Sequence, residues 1–198
     1  MISKSEREQI IALINREVVP AIGCTEPIAV ALCVAKATET LGCKPEKIQA
    51  LLSANILKNA MGVGIPGTGM IGLPIAIALG ALIGKSEYQL EVLKDSTPEA
   101  VEAGKKLIDS QAINIGLKYG IEEKLYIEII CEAEGKKATA IISGGHTNFV
   151  YVAHGEEVLV NKQAASSNEA ISDDVELTLR KVYDFAMETP IEELKFIL

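Results

Sequence analysis

Residues 21–42 read AIGCTEPIAVALCVAKATETLG. From Ile28 onward the run is apolar on nearly every side of a helix rather than along one stripe, and a helix of that kind has to be buried. Thr25 fits the N-cap. Glu26 and Pro27 then fall in the first turn, where a carboxylate meets unpaired amides and a proline loses no hydrogen bond. Gly42 ends the run. The pattern predicts a buried helix over 28–41, entered through a glycine, a cysteine and an acid.

Working outward, Pro20 closes an amphipathic helix predicted over 6–19. Ser5 and Glu8 form its capping-box pattern, and Ile10, Ile11, Leu13, Ile14 and Val18 recur at helical spacing. On the other side, 47–55 (KIQALLSAN) fits either a strand or a helix, and is read as a strand because a glycine-rich loop over 58–72, KNAMGVGIPGTGMIG, follows it. A second apolar helix covers 73–82, and Thr97, Pro98 and Glu99 open another that runs to 111. The character then changes. Residues 126–132, 137–143, 149–153 and 158–160 are short runs rich in β-branched residues, separated by glycine-containing turns, as in an antiparallel meander. The polar stretch 163–174 reads as a linker, and 175–187 returns to helical spacing. The apolar-patterned segment 190–198 stops without a cap. That abrupt stop raises the expectation of a cut polypeptide or of a partner that completes it.

The expected fold class is α+β: buried apolar helices packed with a mostly antiparallel sheet of about four or five strands. The organisation is helical over 1–45 and 70–112, a loop over 58–72, β-rich over 113–161 and helical over 166–198. Neither repeats nor low-complexity tracts interrupt it.

Composition narrows the function classes. The chain has 198 residues with 48% apolar and 23% charged, enough for a sizeable core. A net charge of −8 argues against a protein that tracks nucleic-acid phosphates or an anionic membrane surface. No secretory leader is visible, and the longest apolar run, 71–83, is too short to span a bilayer. Four cysteines, Cys24, Cys33, Cys43 and Cys131, read as reduced thiols of a cytoplasmic protein rather than a disulfide framework.

Three stretches could carry chemistry. Cys24 stands beside a helix N-terminus, whose amides and dipole favour a thiolate, the form that attacks or ligates. Cys33, Cys43 and Cys131 read as small core hydrophobes. No CxxC and no cysteine–histidine spacing suited to zinc is present. The loop 58–72 is neither a Walker A nor a Rossmann fingerprint, but its successive glycines before a helix expose N–H groups that suit a phosphate or carboxylate. Lys58, Asn59 and Thr68 add polar anchors; the plain alternative is a tight structural connection. SGGHTNF, 143–149, sets His146, Thr147 and Asn148 at the end of a hairpin strand. His146 there is a general base, a ligand or a solvated turn residue.

Together GCTEPIAVAL (23–32), NILKNAMGVGIPGTG (55–69) and GGHTN (144–148) resemble the L-cysteine desulfidase family, which is related to the α chain of the iron–sulfur L-serine dehydratases. The resemblance covers about 10–160. It implies a [4Fe–4S] cluster ligated by Cys24, with one iron left open as a Lewis acid at the β-substituent. It further implies Thr25, Glu26, Asn59, Gly67, Thr68, Gly69, Thr147 and Asn148 as substrate-binding residues, with His146 or Lys58 as the base. The family's other cluster cysteines lie in a C-terminal half that nothing here matches. The expected activity is therefore that of the N-terminal part of a lyase converting L-cysteine to pyruvate, ammonia and sulfide, inactive until a missing half or second subunit joins it.

L-Serine dehydration is the alternative within the class. A non-catalytic module that binds an amino acid or another carboxylate is the alternative outside it. A pyridoxal-phosphate lyase has Lys58 beside glycines in its favour, but no phosphate cup or pyridine partner. A homodimer is a further expectation, because the apolar surface a missing half would cover needs burial.

Overall fold

The computed structural model describes residues 2–162 and 175–197. The stretch 163–174, read as a linker, lies outside them. The chain divides into two units, one formed by 21–164 and the other by the two chain ends, 1–20 and 165–198.

In the larger unit the elements are α2 (Thr25–Leu41), β1 (Lys47–Leu52), α3 (Ala54–Ala60), β2 (Gly64–Ile65), β3 (Met70–Ile71), α4 (Leu73–Ile83), α5 (Pro98–Asp109), β4 (Ile113–Leu117), β5 (Tyr126–Ala133), β6 (Lys136–Ser143), β7 (Phe149–His154) and β8 (Glu157–Asn161), α1 belonging to the other unit. The fold is α+β. The main sheet has six strands in the order β4-β1-β5-β6-β7-β8, and β2 and β3 pair separately. The meander from β5 to β8 is the one that the sequence predicts.

The strand count exceeds the expected four or five because of β4. It pairs with β1 in parallel, whereas every other pairing is antiparallel. Its sequence, INIGL, alternates apolar Ile113, Ile115 and Leu117 with Asn114 and Gly116, a five-residue strand signal that the sequence reading passed over; none of the five is fully buried. The second correction falls after β1. Ser53 caps α3 by accepting from the Ile56 amide, so 53–60 turns helical where the sequence reading continued a strand and then a loop. Lys58 and Asn59 are thus helical, and the loop narrows to the β2–β3 hairpin.

Register puts the apolar residues of the sheet on one face. Ile48, Ala50 and Leu52 of β1 oppose Cys131, Ile129 and Ile127 of β5, which oppose Ala138, Ala140 and Ile142 of β6. All nine are buried. α2 lies against this face over β5, β6 and β7, and α4 packs on α2, α5 and β4. Ile28 to Ala35 of α2 are wholly buried, as a helix without a polar face requires. Each fully buried aliphatic side chain contributes about 1.5–3 kcal/mol relative to exposure. Cys33 and Cys131 belong to this core. The Cys33 thiol points at the Ala140 carbonyl at 3.3 Å, and burial holds it protonated; burial likewise pushes Cys131 up to about 12.

The contact between α2 and α4 is close because both present small residues. A Cβ on Gly80 would stand 2.6 Å from the Ala31 carbonyl oxygen, and one on Gly84 2.8 Å from the Ala35 Cβ. These two pairs are one helical turn apart on each helix.

In the smaller unit, α1 (Lys4–Glu17) starts at Ser3, whose hydroxyl accepts from the Glu6 amide, while the Glu6 carboxylate accepts from the Ser3 amide. The sequence holds two overlapping S-x-x-E patterns, and this earlier one forms rather than Ser5 with Glu8. Glu6 also pairs with Lys181 of α6 (Leu179–Glu188) at 3.1 Å. The Ser3 hydrogen bonds and Lys181 together hold its carboxyl down to about 2. A 3-10 segment, Ile191–Ile197, follows. Among the described residues no helix is long and apolar enough to cross a membrane.

Gly80→Ala tests the helix contact. Alanine's better helix propensity is worth about 1 kcal/mol, and forcing a methyl into a packed backbone contact costs about 1–3 kcal/mol or more. The steric cost wins, so the urea midpoint falls with an unchanged m-value. A midpoint equal to the parent's would show that the two helices can separate freely.

Candidate functional site

Burying α2 leaves its N-terminus half-buried at the edge of the core. Cys24, not Thr25, is the N-cap, and its carbonyl accepts the first helical hydrogen bond from Ile28. The Cys24 side chain does not cap the helix. Its Sγ donates to Glu26 Oε2 at 3.0 Å, and the Thr25 hydroxyl donates to the same oxygen at 3.4 Å. The other carboxylate oxygen, Oε1, accepts from Asn59 Nδ2 of α3 at 3.3 Å.

The glycine hairpin reaches the same place. A Cβ on Gly23 would meet Pro66 Cγ at 2.8 Å, so glycine at 23 lets the hairpin turn press against the segment before Cys24. The third stretch arrives through His146, half-buried in the β6–β7 connection and near enough to Glu26 to influence its ionisation. Two stretches thus meet at one carboxylate through Asn59, and the third acts on it electrostatically.

The electrostatics have a clear order. The Cys24 thiol is held above its ordinary range, first by its hydrogen bond to Glu26 and then by burial. The amides of Thr25 and Glu26 act in the opposite direction and do not prevail. The helix-terminus argument for a thiolate is therefore correct in sign and outweighed here by the acid two residues on. Glu26 is lowered, chiefly by the same hydrogen bond, with Asn59 and His146 adding to it. The resting pair is a neutral thiol and a carboxylate.

The other expected residues fall into two groups. Thr25, Glu26 and Asn59 meet at the carboxylate, with Cys24. Thr68, Gly67, Gly69 and Asn148 are engaged in their own turns. The Thr68 hydroxyl donates to the Ile65 carbonyl at 2.7 Å and accepts from the Met70 amide at 3.0 Å. Gly67 and Gly69 supply the left-handed conformations that this turn requires, with φ of 76° and 64°. Asn148 Nδ2 closes the β6–β7 turn on the Ser143 carbonyl at 2.9 Å. Thr147 is exposed beside His146. Lys58 is exposed on α3, and among the described residues it makes no hydrogen bond or ion pair with Cys24, Glu26 or His146. What the sequence reading missed is the hub itself, because only α3 turns Asn59 toward Glu26. The signal for α3 was Ser53, a residue favoured at N-caps.

As a metal ligand set the site is partial. Among the described residues no group of three or more histidine, cysteine, aspartate or glutamate side chains stands where it could hold a metal ion. Cys33 and Cys131 are locked in the core. Cys24, half-buried at a helix terminus, fits as a single ligand to a group completed from elsewhere.

No family model and no solved structure matches the chain. Curated relatives do. A protein of Phocaeicola vulgatus named UPF0597 protein is 79% identical over 198 residues, 100% of this chain and 46% of that relative. The UPF0597 protein of Bacteroides thetaiotaomicron is 69% identical over 195 residues, 98% of this chain and 46% of its own length. That of Aeromonas hydrophila is 41% identical over 197 residues, 98% and 45%. The chain spans about half the length of the curated relatives it matches. The shared name states no activity, so the functional reading rests on the site.

Glu26→Gln separates the two opposing influences on Cys24. Removing the negative charge and its hydrogen bond takes away the largest upward influence and leaves burial opposed by the helix amides, so the thiol ionises at lower pH. Iodoacetamide labelling of the Cys24 peptide, followed by mass spectrometry across a pH series, shifts to lower pH in the variant. An unchanged profile, or one shifted upward, would show that Glu26 does not set the state of the thiol.

Proposed function

We propose that this chain is the N-terminal part of an iron–sulfur-dependent β-eliminating lyase that converts L-cysteine to pyruvate, ammonia and sulfide. The observation that supports it is the convergence on Glu26. Of the stretches that carry the resemblance to the L-cysteine desulfidases, the first two meet through Cys24, Glu26 and Asn59, and His146 of the third acts electrostatically on the same carboxylate from more than a hundred residues along the chain. The greater length of the relatives agrees with a site to which this chain contributes one thiol. Four free thiols suit a reducing, cytoplasmic setting.

A [4Fe–4S] cluster with Cys24 as its ligand from this chain would supply a Lewis-acidic iron for the β-sulfur of the substrate. The residues here supply the rest. Glu26 stays ionised and offers its anion to the substrate ammonium group, and Thr25 and Asn59 fix its two oxygens. Glu26 also relays to solvent the proton that Cys24 must release on ligation, since Sγ already donates to Oε2, and it is ionised again when the substrate ammonium group arrives. His146 takes the α-proton. The Cα–H electrons become the Cα–Cβ double bond as the Cβ–S bond breaks and sulfide leaves. The 2-aminoacrylate tautomerises to the imine, and water hydrolyses that to pyruvate and ammonia. L-Serine undergoes the same sequence with water as the leaving group, and it is the alternative substrate.

The test joins this chain to the polypeptide that follows the matching stretch in the Phocaeicola vulgatus relative, reconstitutes the product anaerobically with iron and sulfide, and measures pyruvate. Release from L-cysteine, abolished by Cys24→Ala with the melting temperature unchanged, is the expected result. Release from L-serine alone would reassign the substrate. Pyruvate formation that survives Cys24→Ala would overturn the role of this thiol. Amino-acid binding indifferent to iron and to Cys24, without turnover, would mark a binding module instead.

A further inference from the structure

The β2–β3 hairpin has two unlike faces. Gly64 pairs with Ile71, and Ile65 pairs with Met70. Directly paired residues share a face and consecutive residues alternate, so Ile65 and Met70 form one side and Gly64 and Ile71 the other. Ile65 is buried in the core and Met70 packs against it. The outward side carries Ile71, which is 67% exposed. At the base of the hairpin, Met61 is 51% exposed, with its carbonyl oxygen tight against Gly72.

The glycines sharpen the contrast. Gly23, Gly72 and Gly80 are required by backbone or proline atoms that a Cβ would strike. Gly67 and Gly69 are required by positive φ. Gly62 and Gly64 have neither reason: their φ is ordinary, and a Cβ at either would meet open space. A glycine costs conformational entropy on folding, and within this chain nothing offsets that cost at 62 and 64. Bare backbone flanked by exposed methionine and isoleucine leaves room for close approach by another polypeptide.

We propose that this outward hairpin face, Gly62, Gly64 and Ile71 with Met61 beside it, seats the second half of the longer polypeptide, next to Cys24. The inference rests on the reading that protein beyond this chain completes the site. The occupant is argued from the relatives, in which this sequence makes up 46% of the length, and from the contact of Pro66 with Gly23, which places the hairpin turn at the approach to Cys24.

The test uses a full-length chimera in which this chain replaces the matching stretch of the Phocaeicola vulgatus relative, with a photo-cross-linking amino acid substituted for Ile71. Adducts mapped by mass spectrometry to the segment beyond this chain's equivalent are expected. In parallel, oxidation of Met61 by dilute peroxide, which needs no substitution at the face, is compared between this chain alone and the chimera. Burial of the thioether slows it about fivefold or more. Adducts confined to the first 198 residues or to a second copy, or equal oxidation of Met61 in the two proteins, would overturn the proposal. Neither readout depends on iron or on turnover. Failure of the lyase reading with adducts present, and failure of the docking with pyruvate present, are therefore told apart.

Discussion

The structure depends on the burial of one helix that has no polar side. α2 cannot face water anywhere along 28–35, so the sheet has to cover one flank and α4 the other. That demand sets the apolar face of β1, β5 and β6. It also sets the small residues where the helices meet, since a larger side chain at Gly80 would separate α4 from α2 and open the core. It fixes the direction of α2 as well. With its body immobilised, its N-terminus emerges at one defined point, and Cys24, Thr25 and Glu26 are held where α3, the hairpin and the β6–β7 connection can reach them. The site is a consequence of packing: the residues that give the helix its place are different from the residues that use it.

Strong, local signals were readable from sequence. The two apolar helices, the meander and the helix opened by Thr97 are each announced by periodicity, caps or turn residues, and each is present. What was not readable depends on partners. β4 carries only a five-residue alternation, and its parallel pairing with β1 across a long connection has no local signal. α3 is seven residues long, too short for a periodicity to declare itself, and its cap was masked by an apolar strand before it and glycines after it. In the site, the presence of Cys24, Glu26, Asn59 and His146 could be read from the sequence. Their arrangement around one carboxylate could not, because Asn59 reaches it only through α3 and His146 only through the β6–β7 connection. The hairpin shows the converse: Thr68, Gly67 and Gly69 looked like ligand contacts, and their hydrogen bonds and backbone angles are used to make the turn.

Two sources of charge compete at the head of α2. The helix terminus offers amide groups and a partial positive charge, an influence worth roughly 0.3–1 kcal/mol when exposed and up to about 2 kcal/mol when partly buried. A hydrogen bond to a charged group is worth about 1.5–3 kcal/mol. The carboxylate at 3.0 Å therefore decides the protonation of the thiol, and the amides moderate it. Glu26 in turn gains from every donor around it, which keeps it ionised in a half-buried position. Two neighbouring groups are driven apart in ionisation, the thiol up and the acid down, through a single shared proton.

That shared proton bears on how Cys24 could act as a ligand. A thiol whose proton already points at a carboxylate need not expel it into an apolar pocket when it ligates, because the acceptor is in place. The acceptor cannot wander, since Asn59 restrains one oxygen and Thr25 the other. Once the proton leaves, however, a thiolate and a carboxylate would stand 3.0 Å apart, two like charges in a partly dry site. The arrangement is stable only if a positive charge arrives as the proton departs. A metal centre at Sγ, or an ammonium group at Glu26, meets that requirement, and a substrate amino acid bound beside a metal would supply both. The geometry is thus self-consistent as a neutral thiol at rest, and as a thiolate it would require such a positive charge beside it.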